Sequence, residues 1–495
     1  MESKWKYIRL SIEVVASFYY FLVTLGQVSS GLMYQVKICL FEIIENLGKN
    51  DTSFWIKIEM DKDNCFHLQE PKFKDALDIV AKKQSDVTSV GLALQIIPNA
   101  IASLILVNAA DLIGRKHILL IVFSGYIIHS ISFIVNWYYV EVSYWWMLME
   151  CWHQLFGGRA VLTVALMLYV SDVTPDKWKS IRFNCLSLIE LSSTAFAVIA
   201  SGWILDPEIM SNHGEDMDGD GFGDDFYGFY TVYGVALILN VLAIVWTIFV
   251  LKETNSSSEK LTLKKVFNPT KMTESFKCMI KRRENGSTWI ILSLMVMYYI
   301  VCVQYDGLYL SPSLFLYFEG LGWSYSQFTT LFGINGVMIM IGILTIIPFL
   351  ILKLRWTDMT IGFWGCFFYA GSAFVFIISP YGNEYIPYIA VVCNMFSGAC
   401  LPMVKSSLTK IIPKEELPSL FAVVGMLQAL SAIGAPISNI IYSASINWCN
   451  TEEEEKDWCS TTFIWTGFIA LFVNCVLFIF TRLGIKSKNL INHSS

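Results

Sequence analysis

The sequence predicts an all-α membrane protein, with twelve transmembrane helices in two six-helix halves. Three observations predict it. Of 495 residues, 55% are hydrophobic and 15% charged, whereas soluble chains carry about 25% charged residues. The mean hydropathy is +0.53. The apolar residues fall into blocks of about 20, long enough to cross a hydrocarbon core ~30 Å thick as helix. A basic, polar stretch at 252–287 separates the first six blocks from the last six.

In chain order the spans are expected near 9–33, 86–108, 118–136, 145–171, 183–205, 228–251, 288–310, 327–350, 358–379, 386–408, 419–443 and 463–482. The first run is too long for a cleavable signal and lacks a small-residue cleavage site, so it reads as a signal anchor. Lys and Arg set the orientation. Outer loops after the first hold Lys456 alone, while the inner segments are basic, so both termini are expected in the cytoplasm. The long first outer loop, 34–85, is exempt because long segments translocate largely regardless of charge. The divisions are 1–251 for the first half, 252–287 for a cytoplasmic linker, and 288–495 for the second half with a short tail.

Several functions are excluded. The net charge of −6 and the lack of a basic, aromatic-interleaved patch give no nucleic-acid partner. No GxxxxGK[ST], HExxH or GxSxG string occurs, which argues against an ATP-driven pump or a membrane protease. The chain is expected to be neither an enzyme nor a cofactor carrier, and to be monomeric.

The loops carry modification signals. Asn50-Asp51-Thr52 is a glycosylation acceptor on the outer side. Four cysteines lie outside, Cys39, Cys65, Cys449 and Cys459. An oxidising compartment permits disulfides in any of three pairings, and Cys39–Cys65 with Cys449–Cys459 is the expected one. Asp216, Asp218 and Asp220 precede Gly221 as at the start of a calcium loop, but the twelfth position is Tyr227 rather than an acid. A solvated loop is the expectation there, with no metal.

The charges inside the membrane point to function. Arg159 and Glu190 lie deep in the fourth and fifth spans, Glu190 about eight residues in, or roughly 12 Å. Charges in lipid are costly and tend to mark pathways. They are read either as a structural ion pair or as an anion-holding arginine beside a proton-exchanging acid. The hinge between them holds Asp172, Pro175, Asp176, Lys177, Lys179 and Arg182. An internal repeat pairs Pro175 and Phe183 with Pro413 and Phe421, and by that offset Glu190 corresponds to Gln428. Glu13 and Lys405 lie toward the inner ends of spans one and ten. Tyr305 and Asp306 lie near the outer end of span seven, and His129 and His153 are expected to be packed.

Asp111-Leu112-Ile113-Gly114-Arg115-Lys116 fits DxxGR[RK] at the inner turn between spans two and three. There it resembles the signature of the major facilitator superfamily, and the six–linker–six layout agrees. The passages GGRAV…YVSDVTPDKWKSIRF and LPMVKSSLTKIIPKEELPSLFAVVGMLQALSAIGAPISNIIY look like solute carrier family 46, the proton-coupled folate transporter family, as a divergent member. Against the folate carrier of that family, an acid is replaced by Gly158 next to Arg159. Its fifth-span glutamate aligns with Ser187, one turn before Glu190. Its seventh-span histidine aligns with Tyr305, and its tenth-span arginine with Lys405.

The resemblance implies alternating access by two rocking halves, with a small organic anion, folate-like or a related carboxylate, moved with protons. Bacterial wall-peptide fragments are a further implied cargo. The pathway is expected to use Arg159, Glu190, Tyr305, Asp306, Lys405 and Glu13. Asp111, Gly114, Arg115, Asp172 and Arg182 are expected to form a cytoplasmic gate, in a plasma or endolysosomal membrane with the plasma membrane favoured. A neutral-solute facilitator and a non-transporting receptor on the same fold are the rival readings.

Overall fold

The computed structural model describes residues 11–48, 65, 68, 73–139, 142–174, 176–205, 227–254, 273, 276–277, 279–283, 287–309, 312–381, 385–412, 416–449 and 461–487. Among the described residues, twelve segments are long and apolar enough to cross a membrane. The principal helices are α1 (Ser11–Gly48), α2 (Lys74–Asn108), α3 (Arg115–Tyr138), α4 (Gly158–Val173), α5 (Asp176–Ile204) and α6 (Tyr227–Phe249) in the first half. The second half holds α7 (Ser287–Tyr309), α8 (Tyr325–Ile341), α9 (Asp358–Ile378), α10 (Cys400–Ile411), α11 (Leu417–Ser431) and α12 (Thr462–Ser487). Among the described residues there is no strand.

Four of the twelve segments are broken. Span four begins as a 3₁₀ helix, Tyr144–Phe156, before α4. Beyond the end of span seven lies a separate short helix, Pro312–Gly320. Span eight passes through a π turn, Gly342–Ile346. Span ten runs from Ile386–Asn394 into α10, and span eleven resumes after α11 as Gly434–Cys449. Irregular backbone at membrane depth is tolerated where it is buried in protein or lines a cavity, and 3₁₀ and π turns tend to mark hinges.

The halves meet along α5 with α8 and along α2 with α11. One end of the bundle carries Ser11 and Ser487, and is here called the terminal end; the other is the disulfide end. At the disulfide end one apolar core serves both halves, joining Leu32, Val36 and Phe229 to Leu314, Phe318 and Phe376. Toward the terminal end the cores separate. The first half has its own, with Tyr19, Phe123 and Leu166, entered from the second half by Ala422 and Phe421. The second half has another, with Tyr298, Cys366 and Phe478. Outward-facing Ile97, Phe249, Trp289 and Phe480 are exposed, as lipid-facing side chains would be.

Two boundaries differ from the sequence expectation. The first outer loop is shorter than 34–85, because α1 continues to Gly48 and α2 already begins at Lys74. Polarity misled the reading: Gln35 and Lys37 look like loop residues but are buried on the continuing helix. Lys37 Nζ donates to the carbonyls of Asn136 (2.6 Å) and Tyr139 (3.4 Å). A disulfide joins Cys39 to Cys65, 26 residues apart, with Cα atoms 5.8 Å apart. Asn50, the Asp216–Asp220 loop, Cys459 and the Cys449 side chain lie outside the described residues.

Closing a loop of this length restricts the unfolded chain by about 3 kcal/mol in the entropic account. Replacing both Cys39 and Cys65 by Ser should therefore lower the melting temperature of the detergent-solubilised protein. An unchanged melting temperature would show that the bond contributes no stability.

Candidate functional site

The breaks in the helices and the unusual charges coincide. Gly157 has φ 96° and Gly158 φ 47°, both in the left-handed region, and this turn ends the 3₁₀ segment and starts α4. A side chain at Gly157 would collide with Val161, and one at Gly158 with Gln154. The residue set down immediately after the break is Arg159.

Arg159 Nη2 donates to Glu190 Oε1 of α5 at 2.9 Å, and each side chain keeps 25% exposure. The Arg159 Nε is buried with no hydrogen-bond partner. Its guanidinium carbon lies 6.0 Å from the Tyr20 ring centre, within the range of a cation–π contact. From the second half Tyr305 faces the same guanidinium. Asp306, its neighbour near the end of α7, accepts from Ser431 at the end of α11 at 2.6 Å. Lys405 of α10 stands 5.5 Å from the Tyr298 ring centre, and the Tyr298 hydroxyl donates to Gln428 at 3.3 Å.

Five of the six expected pathway residues thus share one region on the seam. Arg159 and Glu190 come from the first half, and Tyr305, Asp306 and Lys405 from the second. Glu190 and Gln428, related by the internal repeat, both border it. Two cations, two carboxyls and three tyrosine rings between two rigid halves can hold an anion with a flat or apolar body.

Glu13 is placed elsewhere. Its carboxylate receives Arg182 at the terminal end, Nε to Oε1 at 2.8 Å and Nη2 to Oε2 at 3.4 Å. Arg182 also donates to Thr174 at 3.1 Å, which ties the hinge to α1 and α5. Arg115 donates to Asp172 at 3.2 Å. Arg115–Asp172 and Arg182–Glu13 each join helices of the first half. The side chain of Asp111 lies outside the described residues.

Sequence reasoning missed the centre of this network, Glu253. Its carboxylate accepts the backbone N–H groups of Arg115 (2.8 Å) and Lys116 (3.2 Å) at the start of α3, where unpaired donors and the helix dipole favour an anion. Gly114, at φ 95°, lets Glu253 in, since a side chain there would occupy the carboxylate's place. Nothing local marks Glu253, which follows the last apolar residues of span six beside Lys252. Glu150 was missed as well. It accepts from Tyr34 and Gln95, both at 3.1 Å, and its charge inside an expected span was the available signal. His129 and His153 pack ring to ring at 4.6 Å beside Tyr126.

The Arg159–Glu190 pair generates a double-mutant test. Removing one partner of a fully buried pair costs about 3–5 kcal/mol; with a quarter of each side chain exposed, about 2 kcal/mol is expected for either Arg159→Gln or Glu190→Gln. The double variant should recover much of that loss in melting temperature. Additive losses would show that the two charges do not depend on each other.

Comparison with known proteins agrees with this architecture. Residues 76–436 match the family model of the Major Facilitator Superfamily. The chain is 21% identical over 401 residues to the "Lysosomal proton-coupled steroid conjugate and bile acid symporter SLC46A3" of Gallus gallus, covering 78% of this chain and 80% of that protein. It is 22% identical over 370 residues to the "Probable peptidoglycan muropeptide transporter SLC46" of Drosophila melanogaster, covering 68% and 63%. Among solved structures, the human organic anion transporter MFSD10 (TETRAN) shares the fold at TM-score 0.57 with 11% identity, covering 94% of this chain and 99% of that one. The chain belongs to the Major Facilitator Superfamily, a multi-pass membrane transporter and not an enzyme, and is similar at low identity to members of solute carrier family 46.

Proposed function

We propose that this protein is a secondary active transporter that moves a small organic anion together with protons by alternating access. The observation that carries the reading is Arg159: a guanidinium on the seam, one nitrogen given to Glu190, its Nε buried without a partner, and tyrosines around it. A carboxylate or sulfate offers the fork-shaped acceptor that a guanidinium binds best. When cargo takes the guanidinium, Glu190 is left as an uncompensated charge in a low-dielectric site, and taking up a proton removes that charge. Anion binding and protonation then favour each other, which is the condition for symport. Lys405 adds a second positive charge from the opposite half, and Tyr20, Tyr298 and Tyr305 supply faces for a ring system.

The cargo class is an anion with an apolar or ring body, folate-like compounds included. The relatives' names, steroid conjugates, bile acids and muropeptides, fit the same description. By the distribution of Lys and Arg, the terminal end faces the cytoplasm. The Arg115–Asp172 and Arg182–Glu13 pairs would then brace the first half on the cytoplasmic side as it rocks. The disulfide end faces the acidic side, whether the membrane is the plasma membrane, as the sequence suggests, or lysosomal, as the avian relative is named.

Uptake of folate, bile acids, steroid sulfates and muropeptides into cells or vesicles, at acid and neutral outer pH, tests the reading. At least one anion should enter faster at acid pH. Glu190→Gln should lose the pH response, and Arg159→Gln should lose anion uptake at normal surface abundance. Uptake of a neutral sugar alone, or anion uptake indifferent to both variants, would overturn it.

A further inference from the structure

The disulfide end of the seam is closed by apolar packing and by a few polar contacts. Ser85 of α2 donates to the Asn439 carbonyl at 2.8 Å, and Asn439 Nδ2 donates to Thr88 at 3.1 Å. A further contact joins α1 to the Pro312–Gly320 helix: Gln35 Nε2 donates to Glu319 Oε1 at 2.7 Å. Gln35 is 1% and Glu319 4% exposed. Both remaining oxygens, Gln35 Oε1 and Glu319 Oε2, are buried and have no hydrogen-bond partner.

Two orphaned acceptors on two groups already bonded to each other have one simple resolution. A proton on Glu319 Oε2 turns that oxygen into a donor, and the amide oxygen beside the bonded Nε2 is the acceptor waiting for it. The result is a cyclic acid–amide pair in which both orphaned oxygens share one hydrogen bond. An ionised Glu319 would instead leave a buried carboxylate with one hydrogen bond and no cation, an arrangement protein interiors avoid. We infer that Glu319 and Gln35 form a proton-binding site on the seam, and that the bound proton fastens the disulfide end shut.

Burial also pushes the Glu319 carboxyl from 4.5 up to about 7, while the bond from Gln35 pulls it down. The charged groups on the elements around it are otherwise engaged or distant in sequence. On α1, Lys37 is held by carbonyls and Glu42 pairs with Lys83 of α2 at 2.5 Å. On α2, Lys82 and Asp86 are exposed. On α7, Asp306 is bonded to Ser431. Neither α8 nor Gly434–Cys449 carries a charged residue. Tyr317, Tyr325 and Tyr442 belong to the surrounding core.

The sign follows. The carboxyl binds its proton more tightly when the seam is closed than when water reaches it. Closure is therefore fully stabilised below the ordinary carboxyl value of 4.5 and loses that stabilisation as pH rises to about 7. Because the site lies at one end, its proton enters and leaves from that side. It gates the cycle without crossing the membrane, and so differs from a proton exchanged at Glu190. That this side is the acidic one rests on the orientation proposed above.

The test uses the purified full chain in detergent and no substrate. Infrared difference spectra across a pH titration should show a protonated carboxylic acid band that disappears near neutrality and is missing in Glu319→Gln. Ser29, fully buried on α1 and beside Tyr325 of α8, reports opening as Ser29→Cys. Its thiol labelling, relative to the parent chain and normalised to an exposed control cysteine, should be at least about tenfold faster near pH 8 than near pH 5. Glu319→Gln, which keeps a neutral partner for Gln35, should label slowly at both values. Equal labelling of the native seam at both values, a Glu319→Gln protein that follows the native pH response, or no band lost on that substitution would overturn the inference. Absent uptake with this response intact would count against the transport reading and leave the gate standing.

Discussion

The Arg159–Glu190 ion pair is the interaction on which the rest of the structure depends. Neither charge is stable alone at the depth where it sits, and together they are stable because α4 and α5 bring the two side chains to 2.9 Å. That approach needs the Gly157–Gly158 break, which begins α4 at Arg159. It also needs the hinge that returns the chain from α4 into α5, fastened by Arg182 to Thr174 and Glu13. The pair is not fully sealed or fully saturated. A quarter of each side chain is exposed and one guanidinium nitrogen lacks a partner, so the charges remain available to something that enters the seam.

The two ends of the bundle are built differently. At the disulfide end, one core and a set of cross-seam polar contacts join the halves. At the terminal end, ion pairs fasten helices and the linker locally, while the halves have largely separate cores that meet at Ala422 and Phe421. Glu253 bonds the first N–H groups of α3, Arg115 holds Asp172, and Glu416 of the second half binds Lys281 and Arg283 of the linker at 2.6 and 2.5 Å. Ion pairs confined to one half keep that half rigid and cost nothing when the halves part. A shared apolar core resists parting, so something other than side-chain packing has to release it, and a titrating carboxyl on that seam has the required property.

Much of this was legible in the chain itself, for reasons that can be named. A helix in lipid must satisfy its own backbone, so twenty apolar residues in a row leave little choice of structure. An isolated charge inside such a run stands out because lipid gives it no solvation. Arg159, Glu190, Asp306 and Lys405 were visible on that ground. Glu13 was visible too, but its depth alone did not tell which partner it meets. Lys37, Gln35, Glu253 and Glu319 were hidden because they sit at the ends of spans, where a polar residue ordinarily faces water. There the same letters describe a loop and a buried contact.

The sequence by itself determined the class of protein, the number of spans, the division into halves and the presence of costly charges in the membrane. All of these follow from local hydropathy and from spacing along one helix. Tertiary structure alone decided which charges meet: Arg159 with Glu190 and Tyr305, Arg182 with Glu13, and Gln35 with Glu319 across 284 residues. It also decided that α1 runs past its apolar stretch to Gly48. The reason is physical. Pairing energies depend on distance and burial between helices far apart in the chain, and neither quantity is written in the order of the residues.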